Sequence, residues 1–237
     1  MDLLPHIEIC TGADPVGTIL WMHGLGADGW DFVPVVRELP LPEDLALRFI
    51  FPHAPVRPVT INNGYEMRAW YDISMMNDLT RLPDEGGIRE SQAMVETMIA
   101  REAERGVPAG RVVLAGFSQG GAIALQTGLR HADRLGGIMA LSTYLPLQES
   151  LEAEAAAANR ATPILMVHGS QDPVIPQRLA EQSRDALKAR GYEVEWHSWP
   201  MPHAVCPEEI EAIAAFLGRI YGGGADAPSR SSILLAR

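Results

Sequence analysis

Val112-Val113-Leu114-Ala115-Gly116-Phe117-Ser118-Gln119-Gly120-Gly121 decides how this chain is read. An apolar run from Val112 to Ala115 ends at a glycine, and the residues from Gln119 to His131 read as a helix that follows it directly. A serine framed by glycines at a strand-to-helix junction is the context in which G-x-S-x-G forms a nucleophile elbow. The turn is sharp, so side chains two residues either side of the serine would collide, and Gly121 lets the helix pack closely. The serine then stands at the carboxyl edge of a sheet beside a helix N-terminus. A glycine-rich turn without chemistry is the alternative, and the flanking strand and helix argue against it.

Outward from this junction, short apolar runs alternate with amphipathic segments. Thr18 to Met22, Leu47 to Phe51, Ile138 to Leu141, Pro163 to Val167 and Val194 to Ser198 are runs of strand formers closed by Gly, Pro or Ser. Near-continuous apolar runs indicate strands buried on both faces, as in a parallel sheet. Helices are expected from Gly87 to Arg105, Pro176 to Arg190 and Pro207 to Tyr221. The last places Ile210, Ile213, Ala214 and Leu217 on one face and Glu208 and Glu209 in its first turn. This alternation predicts a doubly wound α/β sheet. Leu151 to Asn159 reads as an exposed helix. Residues 1–221 form the expected domain, and 222–237, which open on a glycine run, read as a flexible tail.

A serine hydroxyl needs a base. On such an elbow the acid and base follow the serine in the order Ser, Asp/Glu, His. Asp172 in His168-Gly-Ser-Gln-Asp172 and His203 in Met201-Pro-His203 each lie just past a later strand, so both emerge at the edge that holds Ser118. His203 is expected to take the serine proton and Asp172 to hold its tautomer and stabilise the imidazolium. His23 and His168 precede glycines at strand ends, where structural hydrogen bonding is the expected role.

His23-Gly24-Leu25-Gly26-Ala27-Asp28-Gly29 follows an early strand. A Gly-rich loop there supplies the second oxyanion donor, so the backbone N–H groups of Leu25 and Gln119 are the expected oxyanion hole. The same glycines read as G-x-G-x-x-G, but no acidic residue follows at the position a dinucleotide ribose requires. Metal catalysis lacks an H-E-x-x-H pattern, and His203 with Cys206 has no evident third ligand. Neither a cofactor nor a metal is expected.

Thr60 to Gly86 is the least regular long stretch. Its apolar residues either line an acyl pocket or cover the sheet edge or a subunit contact. Trp70, Ile73 and Met75 from this stretch, with Thr143 and Val174 from loops after later strands, are the candidate substrate-binding residues.

The formal net charge of −11 repels phosphate backbones and anionic headgroups, so neither nucleic acid nor a stable membrane contact is an expected partner. Cys10 and Cys206 cannot build a disulfide framework and are expected as small buried thiols in a reducing, cytoplasmic setting. Met1 to Cys10 lacks a basic region and a long apolar run, so it does not read as a signal peptide.

The motifs together resemble the bacterial carboxylesterase branch of the phospholipase/carboxylesterase family, which is similar to the eukaryotic acyl-protein thioesterases. The segments that carry the resemblance are His23-Gly-Leu-Gly-Ala-Asp-Gly29, Arg48-Phe-Ile-Phe-Pro-His-Ala-Pro55, Ala69-Trp-Tyr-Asp-Ile73, Gly116-Phe-Ser-Gln-Gly-Gly121, Leu141-Ser-Thr-Tyr-Leu-Pro146, His168-Gly-Ser-Gln-Asp172 and His203-Ala-Val-Cys206. The resemblance implies an α/β-hydrolase fold with a mostly parallel central sheet flanked by helices and no large cap. It implies Ser118, Asp172 and His203 as the triad, Leu25 and Gln119 as the oxyanion hole, and a homodimer. The activity it implies is hydrolysis of short- to medium-chain carboxylic esters through an acyl-enzyme. An acyl-protein thioesterase or a lysophospholipase using the same triad is the alternative, and a non-catalytic binding protein is the reading from another class. Two positions depart from the family pattern: Ala204 stands where Ser is usual, and Thr143 where Gly or Cys is common.

Overall fold

The computed structural model describes residues 3–77 and 80–222, and their side chains apart from those of 75–83. In chain order come β1 (His6–Cys10), β2 (Thr18–Met22), α1 (Val35–Glu38), β3 (Arg48–Pro52), β4 (Val56–Val59), β5 (Tyr65–Arg68), β6 (Ile73–Asn77) and β7 (Thr80–Pro83). Then follow α2 (Glu85–Glu104), β8 (Val112–Phe117), α3 (Gln119–Arg130), β9 (Gly137–Leu141), α4 (Leu151–Glu154), β10 (Ile164–Gly169), α5 (Gln177–Ala189), β11 (Val194–Trp199) and α6 (Pro207–Tyr221).

Seven strands form one sheet in the order β1-β3-β2-β8-β9-β10-β11. β1 runs antiparallel to β3, and every other pairing in this sheet is parallel. Successive residues of a strand point to opposite faces, and here both faces are covered. Ile19, Trp21, Phe49, Phe51, Val113 and Met139 face α1 and α6, meeting Val36, Ile213 and Leu217. Leu20, Met22, Ile50, Leu114 and Ile138 face the side of α2, α3 and α5, meeting Ile99, Ile123 and Leu187. That two-sided burial is why these strands read as unbroken apolar runs.

Strand ends differ from expectation by a residue or two, and four features differ in kind. His6–Cys10, expected only as a chain start without a signal sequence, is an edge strand with Ile7 and Ile9 packed inward. Thr60 to Gly86 is largely regular: β5 completes a hairpin with β4, and β6 pairs with β7. Leu151 to Asn159 is one turn of α-helix followed by one of 3-10 helix. It is anchored, not exposed: Leu151 and Asn159 are buried, and Glu154 bridges Arg89 of α2 and Arg130 of α3. Cys10 is free but exposed, because its side chain lies on the outer face of β1, while Cys206 is half-buried. The expected tail beyond residue 222 lies outside the described residues.

No helix of the described residues is long and apolar enough to cross a membrane.

Candidate active site

The junction at Ser118 has the geometry its glycines permit. Ser118 sits between β8 and α3 with φ 54° and ψ −118°, a backbone conformation that L-residues rarely adopt. A Cβ on Gly116 would fall 2.2 Å from the carbonyl carbon of Gly120, and one on Gly120 would fall 2.3 Å from the Met22 carbonyl oxygen. A Cβ on Gly121 would meet Thr143 Cγ2 at 2.8 Å. Each glycine therefore answers a specific close approach: strand to helix at Gly116, helix to β2 at Gly120, and, at Gly121, helix to the Gly116 carbonyl oxygen and the Thr143 side chain.

Three further loops leave the same carboxyl edge of the parallel strands. The loop after β10 carries Asp172, and the loop after β11 carries His203. These two loops are laced together by Ser170 N–H to the Trp199 carbonyl at 2.8 Å and Gln171 N–H to the Met201 carbonyl at 3.2 Å. Gly169 makes the approach possible, since a Cβ there would lie 2.2 Å from the Met201 oxygen. The result is a hydrogen bond of 2.6 Å between His203 Nδ1 and Asp172 Oδ2. Asp172 Oδ1 accepts from the N–H groups of Val174 and Ile175 at 2.8 and 2.9 Å. Both oxygens of this buried carboxylate are thus oriented. His168 stands 3.5 Å from Asp172 Oδ2 and donates from Nε2 to the Ile175 carbonyl at 2.8 Å. Burial holds His168 below the usual histidine range, so it supports the Asp172 loop as a neutral ring.

His203 leans over the elbow, its imidazole centroid 4.7 Å from that of Phe117. The loop after β2 closes on the other side: a Cβ on Gly24 would stand 3.5 Å from Ser118 Cβ. Leu25, next in the chain, offers a backbone N–H that has no backbone acceptor among the described residues. Gln119 opens α3, so its N–H is one of the first-turn donors with no partner inside the helix. The structure therefore gathers Ser118, Asp172, His203, Leu25 and Gln119 at one edge of the sheet.

The substrate-pocket candidates do not gather in the same way. Val174 is exposed beside Asp172. Trp70 is sealed, at 0% exposure, beneath the loop after β2, where its N–H donates to Gln119 Oε1 at 2.7 Å and its indole Nε1–H to the His23 carbonyl at 2.9 Å. Ile73 is buried in the core against the helical layer. Thr143 is buried as well, and its hydroxyl donates to the Ser118 carbonyl at 2.6 Å. All three are buried, and Trp70 and Thr143 brace the elbow through these bonds. The side chain of Met75 lies outside the described residues.

Open surface near the elbow is lined by His203 together with residues the sequence reading passed over, chiefly Trp30, Asp31, Phe32 and Val35. A cavity of about 280 Å³ is lined by Asp31, Phe32, Val35, Phe117, His203 and Val205. A second, of about 550 Å³, lies along Gly26, Asp28, Trp30, Asp31 and Arg68. Their shared Asp31 has its carboxyl held above the usual range by burial and by Asp28. The signal for this strip was the exposed Trp30 inside a Gly/Asp-rich loop, at a position where periodicity says nothing. A larger groove, about 990 Å³, is lined by Leu135, Ile164, Tyr192, Val194 and Phe216. It sits where β9, β10 and β11 begin, at the opposite edge from Ser118.

A mostly parallel sheet covered by helices on both faces, with a strained serine on a strand-to-helix turn at its carboxyl edge, is the α/β-hydrolase fold. Residues 5–220 match the phospholipase/carboxylesterase family, and the chain belongs to it. It is a hydrolase of carboxylic ester or thioester bonds. Acyl-protein thioesterase 1 of Neurospora crassa is 40% identical over 222 residues, covering 90% of each chain. Among solved structures, Arabidopsis thaliana SOBER1 superposes with a TM-score of 0.81 at 30% identity, covering 86% of this chain and 98% of that one. Acyl-protein thioesterase 2 of Zea mays gives 0.80 at 28% identity, covering 92% and 99%. All three are eukaryotic proteins, two of them named acyl-protein thioesterases, so the family fits while its bacterial carboxylesterase branch is not supported.

Proposed function

We propose that this chain is a serine hydrolase of acyl thioesters, including those carried by proteins, with Ser118 as nucleophile, His203 as general base and Asp172 as its orienting carboxylate. The observation that carries the reading is the 2.6 Å bond from Asp172 to His203 Nδ1 at the sheet edge that also holds Ser118. A carbonyl oxygen or carboxylate can only accept, so this contact puts the proton of a neutral His203 on Nδ1 and leaves Nε2 free to accept from the serine hydroxyl. Ser118 Oγ adds to the thioester carbonyl as its proton passes to His203. The negative oxygen is held by the Leu25 and Gln119 N–H groups. Collapse expels the thiolate, which leaves as thiol with the proton from His203. Water, activated by the same imidazole, then cleaves the acyl-serine and releases the acid.

The preference for thioesters rests on the relatives named as acyl-protein thioesterases, such as that of Neurospora crassa at 40% identity over nine-tenths of the chain. Hydrolysis of short- to medium-chain oxygen esters, the activity first expected, is the second reading and uses the same atoms. The open strip beside His203 supports direct access for a dissolved substrate. A cytoplasmic setting and a homodimer belong to the reading too; the first is supported by two free cysteines.

The test is a comparison of kcat/KM for an S-acylated peptide, an acyl thioester series and a nitrophenyl ester series, each repeated with Ser118→Ala. Preference for thioesters at equal chain length, lost in the variant, is expected. Full turnover by folded Ser118→Ala would overturn the mechanism, and a uniform preference for oxygen esters would return the enzyme to the second reading.

A further inference from the structure

We propose that Trp70 and His23 are positioning residues that register the two oxyanion donors, Leu25 N–H and Gln119 N–H, through one buried hydrogen-bond clamp. The proposal rests on the hydrolase reading above and goes beyond it. Those donors come from loops far apart in sequence, and a transition-state oxygen is stabilised only if their spacing is held before the reaction.

The clamp can be followed atom by atom. On the Gln119 side, the amide side chain folds back beneath the elbow. Its Oε1 accepts from the Trp70 N–H at 2.7 Å, and its Nε2 donates to the Tyr71 carbonyl at 2.7 Å. Trp70 is further held by the Ser91 hydroxyl, which donates to its carbonyl. Its indole crosses to the other loop and donates to the His23 carbonyl at 2.9 Å. The His23 ring, 5.5 Å from the Trp70 ring, completes the path. His23 Nε2 lies 3.1 Å from the Ala54 N–H, which can only donate, so Nε2 must be unprotonated. The proton therefore sits on Nδ1 and goes to the Gly24 carbonyl at 2.7 Å.

That last bond acts on Leu25. The Gly24 carbonyl and the Leu25 N–H belong to one planar trans peptide and point in opposite directions. Fixing the carbonyl against His23 commits the Leu25 N–H to the other side of the plane. Both donors are thus tied to Trp70, one through the Gln119 side chain and one through His23. Burial supports the arrangement by pushing the His23 pKa down to about 4, which keeps Nε2 an acceptor at neutral pH.

The experiment uses the full chain and begins with fluorophosphonate labelling of Ser118. Trp70→Phe keeps the ring and removes the indole donor; Gln119→Met keeps the backbone donor and removes both side-chain bonds. Trp196→Phe, on the far edge strand, serves as control. Each is assayed for melting temperature, kcat, KM and inhibition by an acyl trifluoromethyl ketone, whose serine-bound hemiketal carries the oxyanion. Expected for both clamp variants is a ~10–10²-fold fall in kcat with KM unchanged, below the ~10²–10³ typical for outright loss of a donor. The ketone Ki should rise by the same factor. The control should retain wild-type values. Undiminished kcat in a folded Trp70→Phe, or a fall in kcat with the ketone Ki unmoved, would overturn the clamp while leaving Ser118 labelling intact. If Trp70→Phe does not fold, the same outcomes read in Gln119→Met decide. Absence of labelling in the wild-type enzyme would overturn the hydrolase mechanism itself, and the clamp with it.

Discussion

Asp172 meets His203 Nδ1 at 2.6 Å through one carboxylate oxygen and takes the Val174 and Ile175 N–H groups at 2.8 and 2.9 Å through the other. Every position around this carboxylate calls for an acceptor. An asparagine has only one. If its amide faces His203, the ring must carry its proton on Nε2, the nitrogen needed to accept from serine. If its amide faces the loop, two backbone donors lose their acceptor.

Asp172→Asn should therefore lower kcat by on the order of 10⁴. Steady-state kinetics on a soluble thioester, with circular dichroism to establish folding, provides the check. Retention of most activity would mean another carboxylate orients His203.

Ser118 holds φ 54° and ψ −118° at the expense of stability, because a Cβ is disfavoured there. Ser118→Gly should stabilise the fold by about 1 kcal/mol, since strain of about 1–3 kcal/mol is relieved and part is returned as unfolded-state entropy. Activity should be abolished. Chemical denaturation of this variant beside Ser118→Ala, which retains the Cβ, isolates the backbone contribution.

Gly120→Ala should be strongly damaging at the elbow. Its new methyl would meet the carbonyl oxygens of Met22 and His23 at 2.3 and 2.6 Å, both backbone atoms that cannot swing aside. Overpacking costs about 1–3 kcal/mol, and the upper end is expected here. The loop that bears Leu25 should shift as well, so loss of turnover should exceed what the melting temperature alone would explain.

Glu209 gives a pH prediction for stability. The sequence places it in the first turn of its helix, and in the structure it points inward. It is fully buried, neither oxygen has a partner among the described residues, and burial pushes its pKa up from 4.5 to about 8. Between those values the unfolded chain has lost a proton that the folded chain keeps, so stability falls as pH rises through this window. Below 4.5 the penalty is absent, and above about 8 it levels off. Glu209→Gln should raise the melting temperature at pH 7 and flatten its pH dependence between 5 and 8. An unchanged slope would show that Glu209 ionises freely in the native state.

The legible part of this protein was the part governed by local rules. The strands from Thr18 to Met22 and from Val112 onward announce themselves because both their faces are buried. Ser118, Asp172 and His203 could be chosen because chain order and strand ends decide which loops share an edge. β1 escaped notice because one short alternation, Ile7 and Ile9 against Glu8 and Cys10, is weak evidence in a chain start. The placement of Trp70 and Thr143 depends on tertiary packing. An aromatic residue in an irregular stretch can line a cavity or lie under a loop, and no period distinguishes the two. The burial of Glu209 was not legible for a related reason: Glu208 beside it is exposed, and one helical step of 100° separates solvent from core.

The two outermost strands have a consequence for how copies of this chain can meet. At one boundary, β1 holds Glu8 in ion pairs with Arg48 and Arg105. At the other, β11 holds Glu195 against His197 and Arg219. A second chain extending the sheet at either boundary would have to pass charged side chains already engaged in pairs, and such gatekeeping discourages edge-to-edge growth. Any homodimer should therefore assemble through loops or helix surfaces, and the sheet should stay seven strands wide when two copies associate.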